Sequence, residues 1–527
     1  MMTPSPQQVA VLSWVEKGSG SLNVIARAGC GKSTLLIEIS KIIEGRGVLA
    51  SFNKAIAEEL QSRVTAPNVI ACTMHSLGFS LFRKIAKGKS NIDSRKVRNL
   101  ARKHFPYEKP LQQVVCDAVS FGKQAGLGLK GLDYTEMKTW LPLFDHYDLW
   151  DEIPGAKNKA VAKDDAALDL GRQMSATDKK VLTACTEVYD ESLEMCQERN
   201  PVIDFDDMIL APLILGDPVP TYDWFLGDEW QDANDVRRNL ARFVLKPEGR
   251  AVFVADPAQS IYTFAGATVD SVERTKAEFQ CVELPLSVTY RCPKAIVALA
   301  QTWVSDITAH ESAPEGKVHS ISAKELWTQS FDPQYDAILC RNTRPLLGIA
   351  KRLRKSGIDC VVEGTSGKGL IALASKWGED VEIRDLELRL DNYRMEEVTR
   401  WTEKENEEKV EYVREKVEML LDLCGELNED DTVVRLIEKI ENIFNDKGNR
   451  PNVLHLCTCH RSKGREWGRV FLVGRNEYMP SRWAKQDWEQ VAEANLQYVA
   501  VTRVKQELVE VVVPRKKTSE DPEWWEL

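Results

Sequence analysis

Residues 26–33 read Ala26-Arg27-Ala28-Gly29-Cys30-Gly31-Lys32-Ser33, directly after an apolar run and directly before an apolar-periodic one. Glycines at 29 and 31 let backbone N–H groups wrap an anion. Lys32 can then reach the outer phosphates of a nucleoside triphosphate, and the Ser33 hydroxyl can ligate Mg²⁺. The pattern departs from the usual phosphate loop at Ala26, where a first glycine would stand. By itself the loop implies only that a nucleoside triphosphate binds. A second group, Trp224-Phe225-Leu226-Gly227-Asp228-Glu229, ends an apolar run in two adjacent acids. Such a pair sets Asp228 toward the metal and Glu229 toward an attacking water, which is the chemistry of phosphoryl transfer. The continuation Glu229-Trp230-Gln231-Asp232 makes the pair more specific than acids at an ordinary loop start.

Elements able to position these groups are legible around them. Leu22–Ala26 reads as a strand, Lys32 opens a helix, 48–50 reads as a strand and 54–64 as its helix, an alternation typical of α/β domains. Residues 83–197 change to helices joined by Gly/Asp/Pro-rich connections, with Val181, Cys185, Val188 and Cys196 on one face. Strands return at 224–226 and 251–255. A second α/β block begins near 280, with strands at 335–340, 453–458, 470–473 and 508–513. It is interrupted by a segment whose Val410, Val413, Val417, Leu420, Leu421 and Cys424 form a helical stripe.

A chain of 527 residues exceeds one core and predicts about three or four domains. No apolar run approaches the ~20 residues of a membrane span. The start, Met1-Met2-Thr3-Pro4, lacks a basic-then-apolar leader, so a cytoplasmic protein is expected. The 12 cysteines are scattered, and Cys457/Cys459 has no second pair at zinc-site spacing, so reduced, mostly buried thiols are expected. A net charge of −10 opposes nucleic-acid binding, since such proteins usually carry a basic excess. Residues 373–449, however, hold 23 Asp+Glu against 12 Lys+Arg, a net of −11 that leaves +1 for the remainder.

Further motifs follow in order: Asp256-Pro257-Ala258-Gln259-Ser260-Ile261-Tyr262, Tyr290-Arg291, Thr458-Cys459-His460-Arg461-Ser462-Lys463-Gly464-Arg465-Glu466-Trp467 and Tyr498-Val499-Ala500-Val501-Thr502-Arg503. Near the start stands Ser5-Pro6-Gln7-Gln8. With the phosphate loop and the DExQD acids, this series resembles superfamily 1 DNA helicases of the UvrD/PcrA/Rep type over residues 8–503. Phe52-Asn53-Lys54 and Cys72-Thr73-Met74-His75-Ser76-Leu77 are most similar to the F-box DNA helicase branch. No F-box is expected, because the motor begins within ten residues of the start.

The resemblance implies two RecA-like α/β domains with parallel sheets, each carrying a largely helical insertion: 1–82 with 198–272, insertion 83–197, then 273–372 with 450–527, insertion 373–449. It implies ATP between the two cores, held by Ala28, Gly29, Cys30, Gly31, Lys32, Ser33 and Thr34, with Mg²⁺ on Ser33 and Asp228. Gln8 (or Gln7) would read adenine, Tyr290 stack on it and Glu466 approach the ribose, while Glu229 activates water. Gln259, Arg291 and Arg503 would converge on the γ-phosphate, where guanidinium groups spread positive charge over a transferring phosphoryl group. A single strand would cross both cores on Phe52, Thr73, His75, Phe205, Tyr262 and Phe264, then Arg341, Asn342, His460 and Trp467, by stacking and phosphate contact. Ala265 stands where the family usually has arginine, which puts nucleotide–DNA coupling in question. Phe52 falls one residue later than the motif Ia phenylalanine of UvrD proper.

The expected activity is ATP- and Mg²⁺-dependent 3′–5′ movement on single-stranded DNA with duplex unwinding, in replication, repair or recombination. Its rival is a translocase that strips proteins from single strands; a scaffold with a vestigial ATPase is opposed by the intact motif residues. Expected partners are single strands, single/double-strand junctions and a replication or recombination protein at 373–449, with no membrane and a monomer or weak oligomer. That acidic segment is expected to be a mobile subdomain that repels phosphate.

Overall fold

In each half of the chain, short β-branched and apolar runs become parallel strands, because helices on both faces leave the central strands buried on two sides. The structure is a computed structural model that describes residues 4–129, 131–154, 174–261, 270–363, 366–403, 406–444, 452–515 and 523–525. It divides into two units, Met1–Ala26 with Gly31–Leu286, and Arg27–Cys30 with Ser287–Leu527.

The main sheet of the first unit has six strands: β1 (Leu22–Ala26), β2 (Gly47–Ser51), β3 (Val69–Thr73), β4 (Tyr222–Gly227), β5 (Leu245–Ala255) and β6 (Val282–Leu286). Their order is β3-β2-β4-β5-β1-β6 and every pairing is parallel. This order sets the carboxyl ends of β4, β5 and β1 side by side, where open α/β sheets bind ligands. The helices Lys96–His104, Lys109–Ala125, Met137–His146 and Ala176–Gln197 lie between β3 and β4 in sequence. Val181, Cys185, Val188 and Cys196 are all buried, as their spacing predicts. Trp140, Phe144 and Tyr189 from these helices share one core with Val48, Phe225 and Phe253 of the sheet.

The second unit repeats the plan with β7 (Lys317–Ser322), β8 (Asp336–Cys340), β9 (Cys360–Glu363), β10 (Leu454–Thr458), β11 (Trp467–Val473) and β12 (Val504–Val512). Their order is β7-β12-β11-β8-β10-β9, again all parallel. The acidic segment forms the helices Ile383–Glu403, Glu407–Cys424 and Val433–Ile443. Val417, Leu420, Leu436 and Ile440 from these helices lie in one core with Ile338, Cys340 and Leu346. The segment is therefore packed onto its sheet rather than detached from it. All 12 cysteines are free and all but Cys72 and Cys116 are buried. Among the described residues, no helix is long and apolar enough to cross a membrane.

Candidate nucleotide and nucleic-acid sites

The phosphate loop leaves β1 through two left-handed glycines, Gly29 at φ +71° and Gly31 at φ +84°, a conformation that costs glycine little and other residues more. Gly31 is the N-cap of the helix Lys32–Ile42, and no side chain caps it. The first-turn N–H groups and the helix dipole are therefore aimed at the loop, as an anion site requires. Lys32 Nζ lies 2.9 Å from Glu229 Oε1. Burial alone would lower the Lys32 pKa, but the carboxylates of Glu229, Asp256 and Asp228 outweigh it and hold the ammonium firmly protonated.

Asp228 and Glu229 leave the end of β4. A Cβ on Gly227 would come within 2.6 Å of the Trp230 ring, so glycine is required for the turn. Glu229 sits at φ +50°, a left-handed conformation that costs a non-glycine residue about 1–3 kcal/mol and collects at functional sites. Its N–H donates to Asp228 Oδ1 (3.0 Å). Burial and the neighbouring Glu229 push the Asp228 carboxyl up to about 7, against the pull of Lys32. From Glu229 a polar chain continues across the sheet. Gln231 Nε2 donates to Glu229 Oε2 (2.5 Å), the Asp256 N–H to Gln231 Oε1 (3.0 Å), and Gln259 Nε2 to Asp256 Oδ2 (2.6 Å). Lys32, Asp228, Glu229 and Gln259 are thus brought together. Gln231 and Asp256, which sequence reasoning left without a role, link them.

Gln8 forms a reciprocal cap with Ser5 at the start of the helix Pro6–Lys17: its Oε1 accepts from the Ser5 N–H (2.9 Å), and its own N–H donates to Ser5 Oγ (3.1 Å). That leaves its Nε2 beside the loop, 3.1 Å from where a Cβ on Gly31 would stand. Gln7 and Ser33 are half-buried, Ala28 and Cys30 are buried, and Thr34 is exposed. Thr34 Oγ1 accepts from Arg63 (3.3 Å). The donors suit Mg²⁺: a hydroxyl and a carboxylate are hard oxygen ligands, and the buried acid pair would be further neutralised by a cation.

Within the second unit, Arg291 Nε donates to Glu466 Oε2 (2.5 Å), and Lys505 Nζ lies 2.6 Å from Glu466 Oε1. Burial would raise the Glu466 pKa, but Arg291 and Lys505 hold it below the usual carboxylate range. The Tyr290 ring packs on His310, centroids 4.7 Å apart. Arg503 is buried, with Nε on the Val499 carbonyl (2.8 Å) and Nη1 on the Arg465 carbonyl (3.3 Å). Neither Lys505 nor His310 carried a sequence signal.

Of the candidate DNA contacts, three gather in the first unit around a residue that sequence reasoning missed. The Arg237 guanidinium lies 4.6 Å from the centre of the Phe52 ring, within cation–π range, and donates to the Asp232 carbonyl (2.9 Å). His75 meets Phe205 edge to face at 6.4 Å. Burial and the charge of Arg237 push His75 down to about 4, so its ring is neutral at ordinary pH. Phe205 is 56% exposed, and Thr73 caps the helix Met74–Ile85. Arg237 stands in the first turn of the helix Asp235–Val244, eight residues after Glu229, and a lone arginine has no local pattern to mark it. In the second unit Arg341 is clamped by Glu493 (2.9 and 2.7 Å). Asn342 precedes the helix Thr343–Lys355 without capping it through its side chain. Trp467 opens β11. His460 is driven down to about 3 by burial and by Arg341. Tyr262, Phe264 and Ala265 lie outside the described residues.

Parallel sheets, phosphate loop and acid pair define a P-loop nucleotide-binding protein. Residues 6–280 match the UvrD/REP helicase N-terminal domain and residues 373–513 the UvrD-like helicase C-terminal domain, and the chain belongs to the UvrD/REP helicase family. It is 25% identical to the ATP-dependent DNA helicase UvrD1 of Mycobacterium leprae over 334 residues, 57% of this chain and 39% of that protein. It is 23% identical to a probable DNA helicase II homolog of Mycoplasma pneumoniae over 419 residues, 60% of this chain and 58% of the homolog. Over 318 residues it is 25% identical to the ATP-dependent DNA helicase Rep of Salmonella typhimurium, 55% of this chain and 42% of Rep. The chain spans about two to three fifths of the length of these curated relatives.

Proposed function

We propose that the chain is an ATP-dependent DNA helicase that moves 3′ to 5′ on single strands and unwinds duplex ahead of it. Family membership and the relatives' named activities support the DNA part, and one observation supports the ATP part: the continuous polar chain from Lys32 through Glu229, Gln231 and Asp256 to Gln259. In it Lys32 binds the outer phosphates, Glu229 orients and deprotonates the attacking water, and Gln259 reports the state of the γ-phosphate through Asp256 and Gln231. Mg²⁺, held by Ser33 and Asp228, would neutralise charge on the phosphates. Arg291 and Arg503 stabilise the transferring phosphoryl group. For that, Arg291 must exchange Glu466, and Arg503 its backbone carbonyls, for phosphate oxygens. Gln8 reads adenine, Tyr290 stacks on it, and Glu466 approaches the ribose.

Phe52, His75 and Phe205 then form base platforms, with neutral His75 acting as a hydrogen-bonding group rather than a cation. The motor halves are proposed as 1–82 with 198–272 and 273–372 with 450–527, and the insertions as 83–197 and 373–449. The rival activity, removal of proteins from single strands, shares every one of these residues. Strand displacement on duplexes with 3′ or 5′ tails, run beside displacement of a bound single-strand protein, separates the two. Unwinding only from 3′ tails is expected. Protein removal without strand displacement would favour the rival, and unwinding only from 5′ tails would overturn the polarity.

A further inference from the structure

Three candidates stand apart from the nucleotide site. A large groove of about 980 Å³ beside Trp525 is lined by basic residues, but Lys351, Lys439 and Arg344 in it are held by Glu426, Glu418 and Glu523. The buried lysines of the first unit are satisfied by aspartates. The third is a smaller cavity of about 400 Å³ in the second unit.

One wall of this cavity holds Arg341, Asn342 and His460; the other holds Tyr412, Glu415 and Lys416, all on the acidic helix Glu407–Cys424. Tyr412 is 58% exposed although aromatic, and Lys416 Nζ lies 5.7 Å from its ring centre. Two acids flanking the cavity are ion-paired, Glu418 with Arg344 (2.7 Å) and Glu411 with Arg482 (3.5 Å). Burial and the charge of Glu411 push Glu415 up to about 7, against the pull of Arg344, so its carboxyl can both donate and accept near neutral pH. A neutral imidazole also does both, and so does an amide.

We propose that the acidic helix supplies one wall of a pocket for a single nucleotide of the DNA strand, with Tyr412 stacking on the base and Lys416 contacting a phosphate. This rests on the DNA-motor reading above and names a contact surface within it. The chemistry favours a nucleotide: an exposed aromatic beside an ammonium is what a sequence-tolerant single-strand site uses. Donor–acceptor groups on the facing wall suit a base edge. At about 400 Å³ the cavity lies in the range of small-ligand sites, too small for a duplex or a folded peptide. The helix is thus acidic in sum yet presents its cation and its aromatic ring to the motif residues.

The test is equilibrium binding of the full chain to labelled oligothymidylate and to the same strand made abasic, across a salt series. Tyr412→Ala should weaken binding to the base-bearing strand by about fivefold or more, with Tyr412→Phe restoring it. On the abasic strand the same variant should bind as the parent does. Lys416→Ala should weaken both strands and reduce the salt slope by about one. If the parent binds and a folded Tyr412→Ala binds equally well, or loses as much on the abasic strand, the pocket is refuted while the motor reading stands. If the parent binds neither strand, the motor reading falls, and the pocket falls with it.

Discussion

Lys32 and Glu229 face each other at 2.9 Å, so the nucleotide must part them before Glu229 can address a water. Glu229→Gln should retain ATP binding and lose about 10²- to 10⁴-fold in turnover, since only the proton-accepting role is removed. Lys32→Ala should instead weaken binding of the nucleotide itself. Pre-steady-state binding and turnover of both variants decide this; parental turnover in Glu229→Gln would contradict the assignment. At His75 the consequence is a pH dependence. The folded pKa of about 4 lies below the ordinary 6.5, so on acidification the unfolded chain takes up the proton first. Stability should therefore fall as pH drops from about 6.5 toward about 4. Thermal melts of His75→Gln should lose that component of the slope; an unchanged slope would assign the acid sensitivity to other groups. The loop and the acid pair were legible because their chemistry demands contiguous residues in a fixed order. Arg237 was not, since a cation brought to Phe52 from a helix far along the chain leaves no local spacing to read.

Among the elements, the helical insertion is tied to the helix Asp207–Leu215 by buried ion pairs. Lys96 Nζ lies 2.7 Å from Asp207 Oδ2, while Lys123 Nζ lies 2.6 Å from both Asp204 and Asp207, with both lysines fully buried. Burial would raise the Asp207 pKa, but Lys123 and Lys96 hold it well below the usual carboxylate range. Asp207→Ala strands two buried ammonium groups and should cost about 3–5 kcal/mol, measured by denaturant unfolding; a loss under ~1 kcal/mol would show that water or another acid compensates. No sequence pattern announces this lattice, because lysine is ordinarily a surface residue and its partners lie about 80 to 110 residues away in the chain. The strands that lead into the phosphate loop, the acid pair and the Asp256 motif were legible from their apolar runs. The edge strands β3, β6, β7 and β9 were not: Lys317–Ser322, for one, has only exposed and half-buried residues, too weakly apolar to separate from a loop.

Across the whole molecule, the charge count located the acidic segment but misjudged its attachment. Its stripe residues Val417 and Leu420 are buried in one core with Ile338, Cys340 and Leu346 of the second unit. Replacing the segment with a Gly/Ser linker would therefore unfold that unit rather than isolate an electrostatic effect. Leu420→Ala, a single truncation in that core, should cost about 2–5 kcal/mol and lower the melting temperature of the second unit; an unchanged melt would mean that the segment is detachable after all. The central claim, that nucleotide chemistry here serves movement on DNA, is tested most directly by ATP turnover with and without single-stranded DNA. Turnover should require Mg²⁺, rise at least tenfold with single-stranded DNA, about 1.4 kcal/mol of barrier lowering for each tenfold gain, and fall about 10²- to 10⁴-fold in Glu229→Gln. Turnover that is absent, or equal with and without the strand, would contradict the account.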